Sequence, residues 1–500
     1  MKNYEQIIAT LLAKIAELEK DVQQQAARIA ELEKRLNKNS SNSSKPPSSD
    51  GLCKPPRTTS LRENGKHTSG GQKGHKGETL KQIESPDIIK KHAVLACPDC
   101  RCSLITSPVI GIMKRQVFDI PPPKIEVTEH QAEVKYCECC NKTITAAFPA
   151  GVRAPVQYGE VIRSWSLYYQ YQHFVPEDRL QQLFSDLYGI QLATATLTSY
   201  NRVAFDALAS FEESVLSAVK TAAVKNLDET GFRVAGKTQW LHVASTKTAT
   251  YYHVSQKRKS LLDGLSGTVV HWKSYFNLEG VEHALCNQHH LRELKAITEH
   301  DKEPWAQAMT RLLRVALRCR HFHEDHAIPI ARIKRLIILY DKIIQDGLAY
   351  HETLTPLSCK GKQGLQPRRT GHNLLLRLFH YKQDVLRFLH DSAVPFTNND
   401  AERDLRMMKC KQKISGGFRS SQGAEQFARI RGFISTIRKQ GLSIISSSSL
   451  FFLVLFLSYQ ESEITKQSNR ARNGTCIRNH TFTFWPINTI MFYILVLPVI

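Results

Sequence analysis

Two pairs of cysteines with CxxC spacing constrain the fold of this chain more than any other feature of its sequence. The four residues are Cys97, Cys100, Cys137 and Cys140. Four thiolates from two such turns suit the tetrahedral coordination of structural Zn²⁺, whereas buried free cysteines or a redox dithiol would not explain two matched pairs. Strand-like stretches at 109–120 and 124–137 lie between the pairs. The sequence therefore predicts a zinc ribbon over 92–150, with Cys102 and Cys139 as spare thiols and Cys139 as a competitor of Cys140.

The first 37 residues carry the pattern of a coiled coil. Spacings of three and four alternate along a seam formed by Ile8, Leu11, Ile15, Leu18, Val22, Gln25, Ile29, Leu32 and Leu36. Such a seam over 1–37 predicts a homo-oligomer, and the polar Gln25 is suited to setting its register. The alternative is one amphipathic helix packed on its own domain. The segment is charged throughout, unlike a secretory signal, so we expect a reducing cytoplasm that favours metal-bound cysteines.

Residues 38–91 form a basic stretch rich in Ser, Pro and Gly. It includes GGQKGHKG at 70–77, with Lys73 and Lys76. Two interpretations stay open: a solvated linker, or a cationic strand that lies along DNA phosphates or in a minor groove. The whole chain favours a nucleic-acid partner over a merely soluble basic protein, because 68 Lys and Arg against 46 Asp and Glu give a formal charge of +22.

Residues 151–221 are helical in pattern. Two helical stretches flank Gly189, and Thr194 or Thr196 is suited to cap the second. The arrangement resembles a helix-turn-helix, whose second helix would enter a major groove of DNA. An ordinary helical hairpin in a core fits the same pattern.

A sheet-bearing region begins after these helices and is interrupted by a long helical block. Short β-branched and aromatic strands fill 222–285, helical periodicity fills 286–394, and a final helical motif lies within 395–440. The pattern predicts an α/β domain, made of the first and third of these segments, with an all-α insertion.

Two carboxylates in this region point to metal-dependent chemistry. Asp228 ends an apolar strand, and Glu402 falls in the first turn of a helix that Asn399 or Asp400 could cap. Lys409 follows two helical turns later on the same face. A carboxylate near a cation suits a divalent metal beside a phosphodiester, as in two-metal phosphoryl transfer, which normally needs a third carboxylate.

The chain resembles transposases of the insertion sequence 66 family. The resemblance rests on SSNSSKPPSSD, GGQKGHKG, CPDC with CECC, LDETGFRV, TQWLHVAST, HALCNQHHLREL and VPFTNNDAERDLRMMKCKQKISGGFRS. It implies a ribonuclease-H-like fold, an Asp-Asp-Glu triad holding two Mg²⁺ ions, and DNA strand cleavage and transfer. Asp228 matches the first Asp and Glu402 the Glu. Lys409 matches a basic residue expected near the transposon end, and Cys286 and His289 match a Cys-x-x-His element that supports the site.

The residue that would match the second Asp is missing. The resemblance places it after a hydrophobic strand, where His271 is followed directly by Trp272. Asp263 precedes that strand and is therefore expected at the opposite end from the metals. His271, Glu279 and Glu282 are the candidates for a replacement ligand, although a neutral imidazole is a poor substitute for a carboxylate on Mg²⁺.

Residues 441–500 depart from the family pattern. The last 20 residues are mostly apolar but contain Pro486, Asn488 and Pro498, so they are marginal as a membrane span. Translation past a lost reading frame is the preferred interpretation, and we expect no membrane association.

The sequence thus predicts a multidomain α+β protein with an N-terminal coiled coil, a zinc ribbon, a helical DNA-binding region and a ribonuclease-H-like α/β catalytic domain with an all-α insertion. The expected function is DNA transposition, with catalysis weakened or lost through the missing Asp. The rival is a non-catalytic DNA-binding relic or regulator of an active relative. A nuclease without a role in transposition would leave the DNA-binding modules unexplained. Expected partners are insertion-sequence terminal repeats, target DNA, a second copy of the chain and accessory proteins encoded by the element.

Overall fold

The structure is a computed structural model that describes most of the chain. The described residues are 2–36, 80–121, 123–149, 151–258, 263–323, 327–355, 357 and 368–445. Two compact units are present, one formed by residues 52–127 and the other by residues 1–51 and 128–500. Lys73, Lys76 and the apolar end of the chain lie outside the described residues.

The N-terminal segment is one long helix, α1 (Lys2–Leu36). Its seam residues are exposed in the single chain; Ile15 and Leu18, for example, are 50% and 54% exposed. An apolar stripe on an exposed helix is stabilised when a partner covers it. Self-association of α1 therefore stays a prediction.

The first CxxC pair forms a tight turn in the unit of residues 52–127. The Cys97 amide donates to the Cys102 carbonyl and the Arg101 amide to the Cys97 carbonyl, both at 2.9 Å. Arg101 has a positive φ of 61°. The backbone of Cys102 and the side chain of Cys97 lower the pKa of the Cys100 thiol, which favours the thiolate that binds zinc.

The second CxxC pair forms a similar turn in the other unit, between strands β1 (Val134–Cys137) and β2 (Lys142–Thr145). Asn141, directly after the second cysteine, has a positive φ of 52°. Backbone N–H groups of Cys140 and Cys139 lower the pKa of the Cys137 thiol. In both turns the lowered pKa of one thiol favours the thiolate, which is the form that binds zinc.

The predicted strands between the cysteine pairs are mostly wrong. Within the described residues of 109–137, regular strand structure is confined to β1, and its partner β2 follows the second turn instead. The apolar side chains of 109–120 find no cover there; Val109 and Val117 are 81% and 90% exposed. Alternation alone does not form a strand without an adjacent strand to complete its hydrogen bonds.

Residues 160–221 form helices α2 (Glu160–Gln172), α3 (Glu177–Tyr188), α4 (Thr194–Ala207) and α5 (Ala209–Thr221). Leu180, Phe184 and Leu197 form the centre of a small core shared by α2, α3 and α4. Gly189 ends α3 in the left-handed conformation at φ 66°. The predicted cap of α4 is wrong, since Ala193 holds the N-cap position and makes no side-chain bond.

The described residues include a five-stranded sheet in the order β5-β4-β3-β6-β7. Its strands are β3 (Val224–Val234), β4 (Lys237–Ser245), β5 (Thr250–Ser255), β6 (Thr268–His271) and β7 (Glu282–Leu285). Only β4 among these strands runs opposite to the other four. Gly267 directly precedes β6 and has φ 73°; a Cβ there would approach the Ala223 carbonyl to 2.6 Å, so a larger residue would push β6 away from β3.

Helices cover both faces of this sheet. Between β7 and the last helices lie α6 (Asn287–Ala296), a short π-helix (Ile297–Asp301), α7 (Pro304–His321), α8 (Ile330–Glu352), α9 (Thr370–His380) and α10 (Lys382–His390). They share a core with β6 and β7. Helices α11 (Asn399–Ser415) and α12 (Ser421–Lys439) share the other core with β3, β4 and β5. No described helix combines the length and apolarity of a membrane span.

Candidate active site

Asp228 lies in β3, the central strand of the sheet. Parallel pairing matches Asn226 with Val270, which places Asp228 beside the chain that leaves the end of β6. The Asp228 Oδ1 accepts a hydrogen bond from the Glu229 amide at 2.9 Å. Burial, followed by the negative charges of Glu229 and Glu402, raises the pKa of Asp228 to about 8. A cation at this carboxylate would relieve that electrostatic penalty.

Glu402 reaches the same region from the first turn of α11. This helix packs on β3 and β4. The Glu402 Oε1 is buried without a hydrogen-bond partner in the described residues, and it lies 3.9 Å from His289 Nδ1. A buried carboxylate oxygen with an unfilled acceptor position is a feature of sites that take up an ion or a proton.

Asn398 joins the strand of Asp228 to the helix of Glu402. Its side chain is buried, accepts from Asn226 Nδ2 at 2.9 Å and donates from its own Nδ2 to the Leu227 carbonyl at 2.8 Å. Its amide also donates to Cys286 Sγ at 3.2 Å. The predicted cap by Asn399 or Asp400 is therefore wrong: Asn398 holds the N-cap position and uses its side chain to bind β3. Sequence reasoning missed this residue, although it stands in the quoted FTNNDAER motif.

Cys286 and His289 complete a compact group with Glu402. One ligand atom from each residue lies within 4.8 Å of the others. Cys286 is fully buried at the start of α6, and burial raises the pKa of its thiol to about 11. The His289 ring stacks on Trp272 with centroids 4.7 Å apart.

The end of β6 supplies no carboxylate from the residues next to Asp228. His271 is fully buried; Nδ1 lies 2.6 Å from the Trp272 carbonyl and Nε2 lies 2.8 Å from His283 Nδ1. Burial lowers the pKa of His271 to about 4, which keeps the imidazole neutral. Both ring nitrogens of His271 therefore contact partners in the core. His271 is not available to replace the missing Asp as a metal ligand.

The other candidates for a replacement lie elsewhere. Glu282 pairs with Thr268 at the first residue of β6 and forms an ion pair with Arg387 at 2.9 Å, so it sits at the opposite end of the parallel strands from Asp228. Glu279 is exposed and precedes β7, as Asp263 is exposed and precedes β6. These carboxylates do not gather with Asp228 and Glu402.

Comparison with known proteins gives the family. The profile described as "Transposase IS66 family" matches residues 155–426, which is more than half of the chain. The chain belongs to the IS66 transposase family. The profile of the "zinc-finger binding domain of transposase IS66" matches residues 95–141, and a family of unknown function matches residues 2–81.

A relative of this IS66 family chain is the uncharacterized protein y4jO of Sinorhizobium fredii (strain NBRC 101917 / NGR234). The two are 38% identical over 79 residues, which is 15% of this chain and 25% of the relative. The chain thus spans about a quarter of the length of this curated relative.

In this IS66 family chain, Lys409 contacts its own sheet. Its Nζ donates to the Gly231 carbonyl at 2.8 Å and to Gln412 Oε1 at 3.3 Å, and burial lowers its pKa. Lys409 therefore ties α11 to β3, and its predicted contact with DNA stays a prediction.

Glu229 is a further acidic residue of the region that sequence reasoning passed over. Its side chain is 7% exposed, accepts from Ser274 Oγ and pairs with Arg258 Nε at 3.3 Å. Because side chains alternate along a strand, Glu229 lies on the sheet face opposite Asp228. The same alternation in the sequence could have indicated this placement. Glu229 therefore influences Asp228 electrostatically without sharing its face.

Proposed function

We propose that this chain is a DNA transposase. Its zinc-finger segment, its helical region and α1 would bind insertion-sequence ends, and its α/β domain would act on the bound DNA. The observation that carries the proposal is that the charge of Glu402 acts on Asp228, while Asn398 joins the strand of one carboxylate to the helix start of the other. A five-stranded sheet with three adjacent parallel strands, β3, β6 and β7, and one antiparallel strand, β4, supports a ribonuclease-H-like core. The family match supports the same conclusion.

Asp228 and Glu402 are the residues that would hold catalytic Mg²⁺. Both are carboxylates, the ligands this hard cation prefers, and the acceptor position of Glu402 Oε1 is unfilled in the described residues. Bound Mg²⁺ would supply charge stabilisation to a phosphodiester under attack. The chain's own part is to orient: the Glu229 amide fixes Asp228 Oδ1, and Asn398 fixes the helix start that carries Glu402.

Asp228 and Glu402 alone are better suited to hold one Mg²⁺ ion than two Mg²⁺ ions. His271, Glu279 and Glu282 are directed elsewhere, so a bridging third ligand is missing from the described site. Loss of one metal ligand costs about 10³-fold or more in cleavage rate. This observation favours a second candidate function, a non-catalytic DNA-binding relic or regulator that occupies the ends used by an active relative.

DNA binding by this chain is supported by several modules. The formal charge is +22, and the zinc-finger profile covers both CxxC turns, whose thiols Cys97, Cys100, Cys137 and Cys140 we propose as zinc ligands. The exposed side of α4 carries Thr198, Ser199 and Arg202, short polar and basic groups that suit a DNA groove. A coiled-coil dimer through α1 would present two copies of these modules to paired ends.

Restoration of the missing carboxylate tests the proposal. Three full-length proteins are compared on a duplex that carries the element's own terminal repeat, with Mg²⁺: the chain itself, a version with Asp inserted between His271 and Trp272, and a matched version with Asn inserted there. We expect all three to bind the duplex similarly. Only the Asp version should cleave it rapidly, about 10³-fold faster than the chain itself.

The matched Asn insertion separates the carboxylate from the change in chain length. Rapid Mg²⁺-dependent cleavage by the chain itself, abolished by Asp228→Asn, would show that two carboxylates suffice. Absence of specific duplex binding by all three proteins would contradict both candidate functions.

A further inference from the structure

Cys286, His289 and Glu402 form a group whose chemistry differs from that of a magnesium site. Their sulfur, nitrogen and oxygen ligand atoms lie within 4.8 Å of one another. Two of them come from the start of α6 and one from the first turn of α11, so the group bridges two helix starts. Asp228 is not a member of it.

The sulfur of Cys286 is fixed in position by the start of its own helix and by the residue before α11. Cys286 is fully buried at the N-cap position of α6. Its Sγ accepts from the Asn398 amide at 3.2 Å. Burial raises the pKa of the free thiol, and a cation bound at the sulfur would offset that penalty. The Asn398 amide would then support a metal-bound thiolate, as donors around other metal-bound ligands do.

The spacing of the other two ligand atoms suits one ion. His289 Nδ1 and Glu402 Oε1 are 3.9 Å apart, too far for a hydrogen bond between them. Two ligands of one tetrahedral Zn²⁺ are about 3.3–3.6 Å apart, given metal–ligand bonds of about 2.0–2.3 Å. Stacking on Trp272 holds the His289 ring in place. A shift of a few tenths of an ångström would bring these atoms to coordination distance.

We propose that Cys286, His289 and Glu402 bind a transition-metal ion of the zinc class, with a fourth position left for water. A thiolate and an imidazole select zinc over magnesium, which prefers oxygen ligands. Three protein ligands with a fourth position for water are typical of catalytic zinc sites, whereas structural sites have four protein ligands.

The site has a regulatory consequence, which rests on the proposed function. Glu402 is also a proposed ligand of catalytic Mg²⁺, and one carboxylate held by zinc is less able to serve magnesium beside Asp228. Micromolar zinc would therefore compete with magnesium for the transposase site.

Metal content tests the site without any need for cleavage. Reduced full-length protein, Cys286→Ser and Cys410→Ser are each equilibrated with Zn²⁺ or Co²⁺, dialysed and analysed for bound metal. Cys410 is exposed on α11 and lies outside the group, so its variant controls for the loss of a thiol. The zinc-finger segment is unchanged in all three. We expect Cys286→Ser to lose one equivalent of metal per chain and its share of the thiolate–cobalt absorption, and Cys410→Ser to lose neither.

Two further variants make the outcome decisive. His289→Gln should lose the same equivalent while keeping the parent circular dichroism, which covers the case in which Cys286→Ser fails to fold. Asp228→Asn should keep the full metal content, because Asp228 is not a ligand of this site. Equal metal content in the parent and folded His289→Gln would overturn the proposal. Failure of DNA cleavage with normal metal content would count only against the proposed function.

Discussion

The side chains of Asn226 and Asn398 are hydrogen-bonded at 2.9 Å in the core of the α/β unit. Asn226 precedes Asp228 by two residues on the same face of β3, and Asn398 stands directly before the helix that carries Glu402. Asn398 also donates to the Leu227 carbonyl and, through its amide, to Cys286 Sγ. Asn398 thus joins the strand that carries Asp228 to the helix start that carries Glu402.

Replacement of Asn398 by Ala should therefore destabilise the fold and loosen the site. Removal of the side chain leaves Asn226 Nδ2 and the Leu227 carbonyl without their partner, at a cost of about 2–4 kcal/mol. Urea unfolding measures this cost. Asn373→Ala is the control, since Asn373 is exposed and makes only a 3.4 Å contact with the Arg368 carbonyl. Equal stability of the two variants would show that the Asn226–Asn398 bond is not important.

The ionisation of Asp228 should make stability depend on pH. Its pKa rises to about 8 in the folded protein, so the folded state holds a proton that the unfolded state releases near pH 4. Stability without added Mg²⁺ should therefore fall as pH rises from about 4 to about 8. Asp228→Asn removes this penalty and should be more stable than the parent by about 1–3 kcal/mol at pH 8, allowing for solvent screening. Urea unfolding across this range checks the slope, and an unchanged slope in the variant would exclude Asp228 as its source.

Lys409→Met should lower stability by about 1–2 kcal/mol, because it removes the bond to the Gly231 carbonyl while keeping the alkyl chain. Lys413→Met is the matched control, since Lys413 is exposed on the same helix. Salt titration of DNA binding then separates two roles. A contact with phosphate would reduce the slope of log K against log salt by about one in Lys409→Met. An unchanged slope would leave Lys409 with its structural role alone.

The apolar stripe of α1 should drive association of the chain. Ile15→Lys with Leu18→Lys places two charges in the seam and should shift the protein to a smaller species in sedimentation velocity. Gln23→Lys adds a charge one position beyond seam residue Val22 and should leave the species unchanged. The same sedimentation for both variants would mean that α1 does not join chains.

Cys97→Ser should remove the zinc of the finger segment and open its first turn. Thiolates are the proposed ligands of this zinc, and loss of one ligand leaves the ion exchangeable. Cys102→Ser, which changes a spare thiol of the same turn, should keep the metal. Zinc analysis of the two reduced proteins measures the difference. If Cys97→Ser kept all of its zinc, Cys97 would not be a zinc ligand.

The family resemblance is confirmed, because it rests on local motifs that a sequence preserves in order. Local periodicity also led to helices at α1 and α11 and to a strand carrying Asp228, since amphipathic spacing is a property of neighbouring residues. Local pattern gave the wrong result at 109–120. The segment has the composition of a strand, but no adjacent strand pairs with it in the described residues.

Contacts between residues far apart in sequence decided the rest. Pattern alone could not show that Asn398 would bind Asn226, that His271 would turn inward to His283, or that Lys409 would hold the Gly231 carbonyl. A side chain's hydrogen bonds depend on which groups the folded chain brings within about 3 Å. The sequence by itself determined the family, the charge, the helices and the carboxylate-bearing elements. Only the tertiary structure decided which side chains are committed to the core and which remain to bind an ion, because burial and pairing arise where distant segments meet.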